Sequence, residues 1–487
     1  MSTTEKYVFH TRPFKHQLDV LKKSWNKPDF ALFLEMGTGK SKILIDNIAE
    51  LYERGLIDGA MILAPKGVYL NWTDTELPAH MPSRIPATWA AWTSGKRSKE
   101  YDKMLKSRGL RIMVMNIEAL SQAAGAGKAA EQFLLSNRCM MAIDESTVIK
   151  NHKSQRSKWV LSLRRFARYR RIMSGMPVTQ SPLDLYSQCA FLNPELLGFS
   201  SFYAFKARYA ILRPLKVGPK TISTVVGYRD LKELTDKLDR FSIRVRKSEC
   251  LDLPEKIYER RWVFMSPEQK AAYEQMRKSA ILLLGRGEEV TAPLVLTQML
   301  RLHQIACGFV SLDILEDDEQ RETVLHTFPN GRMDALMETL EEVSGKVIIW
   351  CTYRYNIREI VERIKHEYGD ESVVEYHGGT ATDVRQEAVK RFETPNDPAR
   401  FFVGNPSTGG RGITLIQAST VVYYSNDYRL ESRLQSEDRA HRIGQTKSVT
   451  YIDLVMKNTV DEKIVSALRS KKQIAGELLK DKWEEWI

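Results

Sequence analysis

The sequence predicts an α/β chain of two lobes, each built on a parallel sheet and carrying helical insertions. Three observations lead there. Short apolar runs bounded by polar or turn residues alternate with amphipathic stretches through about the first 180 residues. The same rhythm returns between about 346 and 424, and between about 190 and 330 long helical periods replace it. Apolar runs of that length suit strands buried on both faces, and their alternation with helices is the pattern of a parallel sheet.

The elements follow in order. F-A-L-F-L (30 to 34), A-M-I-L-A (60 to 64), R-I-M-V-M-N (111 to 116), M-M-A-I (140 to 143) and R-I-M-S (171 to 174) read as strands. Between the first two, Lys40 to Arg54 sets Leu44, Ile48, Leu51 and Tyr52 on one helical face, with Gly55 at the C-terminal cap. The later lobe offers K-V-I-I-W-C (346 to 351), S-V-V-E-Y-H (372 to 377), R-F-F-V-G (400 to 404) and T-V-V-Y-Y (420 to 424). Ile357, Ile360, Val361 and Ile364 mark a helix between the first two of these. P-E-Q-K-A-A-Y-E-Q-M-R-K and A-P-L-V-L-T-Q-M-L-R-L-H-Q-I-A-C are long helical insertions. The expected division is a lobe over 1–250, with its insertion from about 190, and a lobe over 251–487, with its insertion at about 266–330.

With 487 residues, 43% of them hydrophobic and 28% charged, the chain can bury a sizeable core, which excludes a disordered chain and a small disulfide scaffold. The five cysteines are widely spaced and form neither a C-x-x-C knuckle nor a disulfide framework, as expected in a reducing cytosol. The N-terminus has no apolar core of a signal peptide, and no run approaches a spanning helix. The expectation is a cytoplasmic protein, of a bacterium or a virus-infected cell, with no membrane partner.

Charge points to the partner. Seventy-three basic against 61 acidic residues leave +12, which favours a polyanion, and nucleic acid first. Lys150, Lys153, Arg156, Lys158, Arg164, Arg165, Arg168, Arg170 and Arg171 follow one another with no acidic residue among them, and part of that stretch is expected to face phosphates rather than to be a solvated helix face.

Three segments carry chemistry. L-E-M-G-T-G-K-S (34 to 41) lies after a strand and opens a helix, the geometry of a phosphate-binding loop. Gly37, Thr38 and Gly39 would wrap phosphate oxygens with backbone N–H groups, Lys40 would set a charge on the β and γ phosphates, and Ser41 would offer its hydroxyl to Mg²⁺. Leu34 stands where the full pattern wants glycine, and a G-x-G-K-S turn without a ligand is the plainer alternative. In M-A-I-D-E-S-T a strand delivers Asp144 and Glu145 at its end, suiting Asp144 to hold Mg²⁺ through water and Glu145 to polarise the attacking water, although solvated acids at a strand end read the same way. In Q-S-E-D-R-A-H-R-I-G-Q (435 to 445), Gln435, Arg439 and Arg442 are spaced to share one helical face. Arginines so placed can reach across to another lobe's nucleotide as arginine fingers; a salt-bridged face is the alternative.

Together these segments resemble the SWI/SNF-type branch of helicase superfamily two, ATP-dependent translocases on double-stranded DNA. E-M-G-T-G-K-S resembles the family's motif I, A-P-K-G-V-Y-L-N-W (64 to 72) motif Ia, and D-E-S-T-V-I-K-N (144 to 151) its D-E-A-H-x-I-K-N. S-G-M-P-V-T-Q (174 to 180), followed by S-P-L-D-L-Y-S, resembles motif III; T-G-G-R-G-I-T-L (408 to 415) resembles motif V. D-R-A-H-R-I-G-Q is similar to motif VI almost letter for letter.

The resemblance implies two RecA-like P-loop lobes, with ATP and Mg²⁺ as cofactors and double-stranded DNA, bound without sequence preference, as the track. Gln17 would read the adenine edge, and Gly412 would approach the nucleotide from the second lobe. Lys66, Asn71, Thr352 and Thr408 would contact DNA phosphates. Ser146 and Thr147 replace the usual Ala and His, Thr414 replaces Asn, and D-Y-R-L (427 to 430) stands for D-W-N-P, placing Tyr428 where an aromatic couples hydrolysis to movement. The expectation is a minimal bacterial or phage-like translocase, directed by an unidentified loading protein, with a strand-separating helicase as the rival enzyme and a catalytically silent nucleic-acid-binding scaffold as the rival of another class.

Overall fold

Strands form where consecutive side chains can all leave water, and the central strands are saturated with apolar residues. The computed structural model describes residues 7–95, 98–123, 125–217, 220–285, 292–315, 321–409 and 413–480. In chain order, its first strands are β1 (Asp29–Leu34), β2 (Gly59–Ala64), β3 (Ala87–Trp92), β4 (Leu110–Asn116), β5 (Cys139–Ile143), β6 (Ala167–Met173), β7 (Ala210–Val217), β8 (Lys220–Tyr228) and β9 (Ser242–Val245). Then come β10 (Lys256–Val263), β11 (Phe309–Leu315), β12 (Arg321–Thr327), β13 (Lys346–Trp350), β14 (Val373–Tyr376), β15 (Phe401–Gly404), β16 (Ala418–Tyr423) and β17 (Val449–Met456).

The chain divides into two compact units, one of residues 1–211, 227–252 and 474–482, the other of 212–226, 253–473 and 483–487. The first holds a sheet in the order β3-β4-β2-β5-β6-β1-β9, parallel throughout. Side chains alternate between its faces: Phe33, Met61, Met113 and Ile143 enter one core, Leu32, Ile62, Val114 and Ala142 the other. Leu44, Ile48 and Leu51 of the helix Lys40–Glu53 cover the second face, and Gly55, at φ +66°, ends that helix as expected. Ala475, Leu478 and Leu479 join the first core, and the Thr235 hydroxyl donates to the Leu478 carbonyl at 3.0 Å.

The second unit holds the order β10-β17-β16-β13-β15-β14, again parallel. Two-stranded sheets β7-β8 and β11-β12 stand apart from both large sheets. They lie in the region read as helical; the helices Pro267–Gly285 and Ala292–Ala306 are there, and the ribbons are additional. The sequence reading also lacked β3, β9, β10 and β17. The first three are edges, where half-exposed residues interrupt the apolar pattern, as in K-I-Y-E-R-R-W-V of β10. β17 is buried, but Asp453 breaks its run.

Among the described residues, no helix is long and apolar enough to cross a membrane.

Candidate functional site

In a parallel sheet the carboxyl ends of the strands share one edge, and loops leaving adjacent strands meet there. In the first unit β6 lies between β1 and β5, so the segment after β6 falls between the glycine loop after β1 and the acidic pair after β5. The loop's shape comes from Gly37 at φ +81° and Gly39 at φ +85°, conformations that L residues rarely adopt; Gly39 caps the helix that begins at Lys40. Lys40 Nζ donates to the Leu34 carbonyl at 3.0 Å and the Glu35 carbonyl at 3.4 Å, and the buried Thr38 donates its hydroxyl to Glu35 O at 2.8 Å. Gln17 is held against the loop, its Oε1 accepting from the Phe14 N–H and its Nε2 donating to Thr38 O at 3.2 Å; a Cβ on Gly39 would come within 2.1 Å of that Nε2.

Asp144 accepts from Trp72 Nε1 at 3.1 Å and from the Glu145 N–H at 3.0 Å. Burial pushes its carboxyl pKa up, while the charge of Lys40 opposes the shift. Glu145 holds φ +49° and ψ +61°, left-handed backbone that costs a non-glycine residue on the order of 1–3 kcal/mol and is concentrated at functional sites. Burial and the neighbouring Asp144 charge push the Glu76 carboxyl pKa up. Gln17, Gly37, Thr38, Gly39, Lys40, Ser41, Asp144 and Glu145 are thus placed around one sheet edge. Its donors are hard oxygens, which suit Mg²⁺; among the described residues no group of three His, Cys, Asp or Glu could cage a metal alone. Ser41 and Asp144 could therefore hold Mg²⁺ only together with water and phosphate oxygens, the ion's usual mode.

Lys66 and Asn71 are exposed on the segment after β2, with the Lys66 amide donating to Glu118 at 2.9 Å. Part of the basic stretch 150 to 171 is tied into the fold. Arg171 is fully buried and donates to Asn47 Oδ1 and to the Ser24 and Pro28 carbonyls, Arg170 pairs with Asp29, and Lys150 bonds the Thr179 hydroxyl. Lys153, Lys158, Arg165 and Arg168 stay exposed.

In the second unit the helix Leu430–Ala440 carries Gln435 and Arg439 but ends before Arg442, so the expectation of three residues on one helical face is corrected. The segment turns out of helical geometry at His441, at φ −100° and ψ +81°. Arg439 and Arg442 nevertheless converge on the strand of chain at 413–414. Arg439, 2% exposed, donates to Ile413 O at 2.9 Å and Gln435 O at 3.0 Å, and Arg442 to the Thr414 hydroxyl at 2.8 Å. Gln435 Nε2 donates to Glu431 at 3.2 Å. Thr352 and Thr408 follow adjacent strands, both linked to Asn405, whose Nδ2 donates to Thr352 O and whose carbonyl accepts the Thr408 N–H. The Thr352 hydroxyl is engaged by Ser425 O at 3.3 Å. Tyr428 is half-buried, and its carbonyl accepts from Lys471 at 2.8 Å. Gly412 lies outside the described residues.

The family model of the SNF2-related domain matches residues 15–308. The chain belongs to the SNF2-related family. The helicase conserved C-terminal domain matches residues 331–444. This SNF2-related chain is 26% identical, over 91% of its length, to the "Probable ATP-dependent DNA helicase CHR12" of Arabidopsis thaliana, of which it covers 39%. It is 24% identical over 92% to the ATP-dependent helicase fft1 of Schizosaccharomyces pombe, covering 52%, and 23% identical over 91% to the "Uncharacterized ATP-dependent helicase MG018" of Mycoplasma genitalium, covering 40%. The chain thus spans between 39 and 52% of the length of these curated relatives. Among solved structures, a Sulfolobus solfataricus SWI2/SNF2 ATPase core in complex with dsDNA is 24% identical with a TM-score of 0.43, covering 98% of this chain and 96% of that one.

Sequence reasoning assigned no role to two residues that organise this edge of the sheet. Asp184 accepts from the Thr179 amide, the Thr179 hydroxyl and the Gln180 amide, fixing the segment after β6. Gln188 accepts from Ser146 at 2.7 Å and donates to Pro177 O at 2.7 Å, joining the segments after β5 and β6.

Proposed function

We propose that the chain is an ATP-driven motor that moves along double-stranded DNA, coupling hydrolysis to remodelling of DNA or displacement of bound proteins without extensive strand separation. The observation that carries this is the gathering of the left-handed glycine loop, Lys40, Ser41, Asp144 and Glu145 at one sheet edge in a chain of the SNF2-related family. Gly37, Thr38 and Gly39 cradle the phosphates, and Gln17 is assigned the adenine edge. Lys40 exchanges its loop carbonyls for the β and γ phosphates, and Glu145 polarises water for in-line attack. Mg²⁺, when bound by Ser41 and Asp144, supplies charge neutralisation. Arg439 and Arg442, with Gln435, are assigned the charge that develops on the γ-phosphate, and Tyr428 the coupling to movement. DNA phosphates are assigned to Lys66, Asn71, Thr352 and Thr408.

A second reading has one observation in its favour. The β7-β8 ribbon carries exposed Ile211, Leu212 and Val226 and is the kind of element that a strand-separating enzyme uses as a pin. ATP turnover measured in parallel with duplex, single-stranded and branched DNA and with RNA, together with displacement of a triplex-forming third strand, tests both. Stimulation by duplex and ATP-dependent triplex displacement, with a plain fork left paired, is the expected result. Robust fork unwinding, or greater stimulation by RNA, would replace the first reading with the second.

A further inference from the structure

Two donors hold the Asp144 carboxylate. The Glu145 N–H reaches Oδ1 at 3.0 Å, and the indole N–H of Trp72 reaches Oδ2 at 3.1 Å. With one fixed donor on each oxygen the plane of the carboxylate is set, and its remaining lone pairs stay open to a cation or to that cation's water shell. The first donor is the next residue's backbone. The second comes from 72 positions earlier in the chain.

Trp72 is 2% exposed and packs in the same core as Ile43 and Ile48 of the helix Lys40–Glu53. It opens a single π-helical turn, Trp72–Glu76, in which its carbonyl accepts the Leu77 N–H. Such turns are rare and recur at functional sites. The Asp144 N–H in turn donates to the carbonyl of Leu63, near the end of β2, at 2.8 Å. The chain from Leu63 to Trp72 therefore holds Asp144 from both of its ends, through the backbone at one and through the indole at the other. Lys66 and Asn71, the exposed residues of this segment to which DNA phosphates are assigned, lie between those ends.

Asn71 and Trp72 are bonded neighbours, one exposed and one buried, so a force on the first is passed to the second. Hydrogen bonds weaken steeply once distance or angle departs from the optimum, and the indole bond to Asp144 is the place where a small shift of this segment is felt. We propose that Trp72 is a positioning residue that holds the Asp144 carboxylate for Mg²⁺ and ties it to the DNA-facing segment, so that a duplex engaged by Lys66 and Asn71 is sensed at the nucleotide site. The inference rests on the ATP, Mg²⁺ and DNA reading above and adds a residue outside the phosphate loop and the acidic pair.

Two variants of the full chain separate the donor from the packing. Trp72→Phe keeps an aromatic ring in the core and removes the N–H; Trp72→His keeps a ring N–H in the place of the indole one and gives up the second ring. Three quantities are measured: the melting temperature, the Mg²⁺ concentration that half-saturates binding of a fluorescent non-hydrolysable ATP analogue, and the ratio of ATP turnover with saturating duplex to turnover without it. In Trp72→Phe the half-saturating Mg²⁺ concentration is expected to rise about tenfold, as for loss of an outer-shell partner. Its stimulation by duplex is expected to fall about tenfold, the scale of one hydrogen bond to a charged group. Trp72→His is expected to melt at a lower temperature than Trp72→Phe and yet to keep more of both functions. A wild-type value of either function in Trp72→Phe would overturn the proposal, as would losses that follow the melting temperature, with Trp72→His the worse, which marks packing alone. Should Trp72→Phe fail to fold, Trp72→His decides: values near the wild type support the donor, and a tenfold loss in the folded protein overturns it. If duplex does not stimulate the wild type, or Mg²⁺ leaves its analogue binding unchanged, the motor reading fails and the inference with it; if the wild type responds to both and Trp72→Phe matches it, the inference alone fails.

Discussion

Arg442 donates to the Thr414 hydroxyl at 2.8 Å from just beyond the end of its helix, half-exposed, whereas Arg439 three residues earlier is 2% exposed and bonded to two backbone carbonyls. The two arginines should therefore fail differently. Arg439→Ala strips buried carbonyls of a charged donor and leaves a cavity, so a loss of about 2–4 kcal/mol in urea unfolding is expected. Arg442→Ala should keep the wild-type unfolding midpoint and nucleotide affinity while turnover falls by roughly a thousandfold, the scale of a lost arginine finger. Turnover of Arg442→Ala near that of the wild type would remove it from the chemistry.

Lys40 and Glu145 separate binding from hydrolysis. Lys40 holds the Leu34 and Glu35 carbonyls from a position where it can turn to phosphates, and a charged hydrogen bond of that kind is worth about 1.5–3 kcal/mol. Lys40→Ala should thus weaken ATP binding by about tenfold to a hundredfold. Glu145→Gln loses only the group that activates water, so ATP affinity should persist while single-turnover hydrolysis drops by about a hundredfold or more. Hydrolysis by Glu145→Gln at the wild-type rate would exclude it as the base.

Gly39 tests the loop itself. At φ +85° an added side chain is strained by about 1–2 kcal/mol, and its Cβ would stand 2.1 Å from Gln17 Nε2. Gly39→Ala should lose nucleotide binding and lower the melting temperature. Combining it with Gln17→Ala removes the collision but not the backbone strain, so thermal stability should recover only in part. Full recovery would mean that the collision alone mattered.

The sequence revealed what local spacing specifies. Uninterrupted apolar runs gave the central strands, and the loop 34 to 41 and the pair Asp144–Glu145 were readable because a few contiguous residues define them. Asp453 hid β17: a carboxylate reads as surface, yet this one is buried as the partner of Arg433. Arg170 and Arg171 show the converse ambiguity, since a basic residue looks the same in sequence whether it meets phosphate or is consumed by a carboxylate and backbone carbonyls. Gln188 acts through Ser146, 42 positions away and brought close only by folding, so no spacing rule marks it.

Glu437 makes the stability of the second unit sensitive to acid. It is fully buried and accepts from Lys256 at 3.0 Å, Tyr258 at 2.9 Å and Arg433 at 2.9 Å. Burial pushes its carboxyl pKa up, but the charges of Lys256 and Arg433 outweigh burial and hold it far below the usual carboxylate range. In the unfolded chain the same group titrates at about 4.3. As pH falls the unfolded state therefore takes up the proton first, so the contribution of Glu437 is complete above about pH 5 and is lost progressively as pH drops below the ordinary value. Urea midpoints of the full chain should decline through that window. Glu437→Gln removes the titration and leaves Lys256 and Arg433 short of a buried partner, which should cost about 3–5 kcal/mol at neutral pH and flatten the acid slope. An acid slope unchanged from the wild type in a folded Glu437→Gln protein would show that other carboxylates carry the effect.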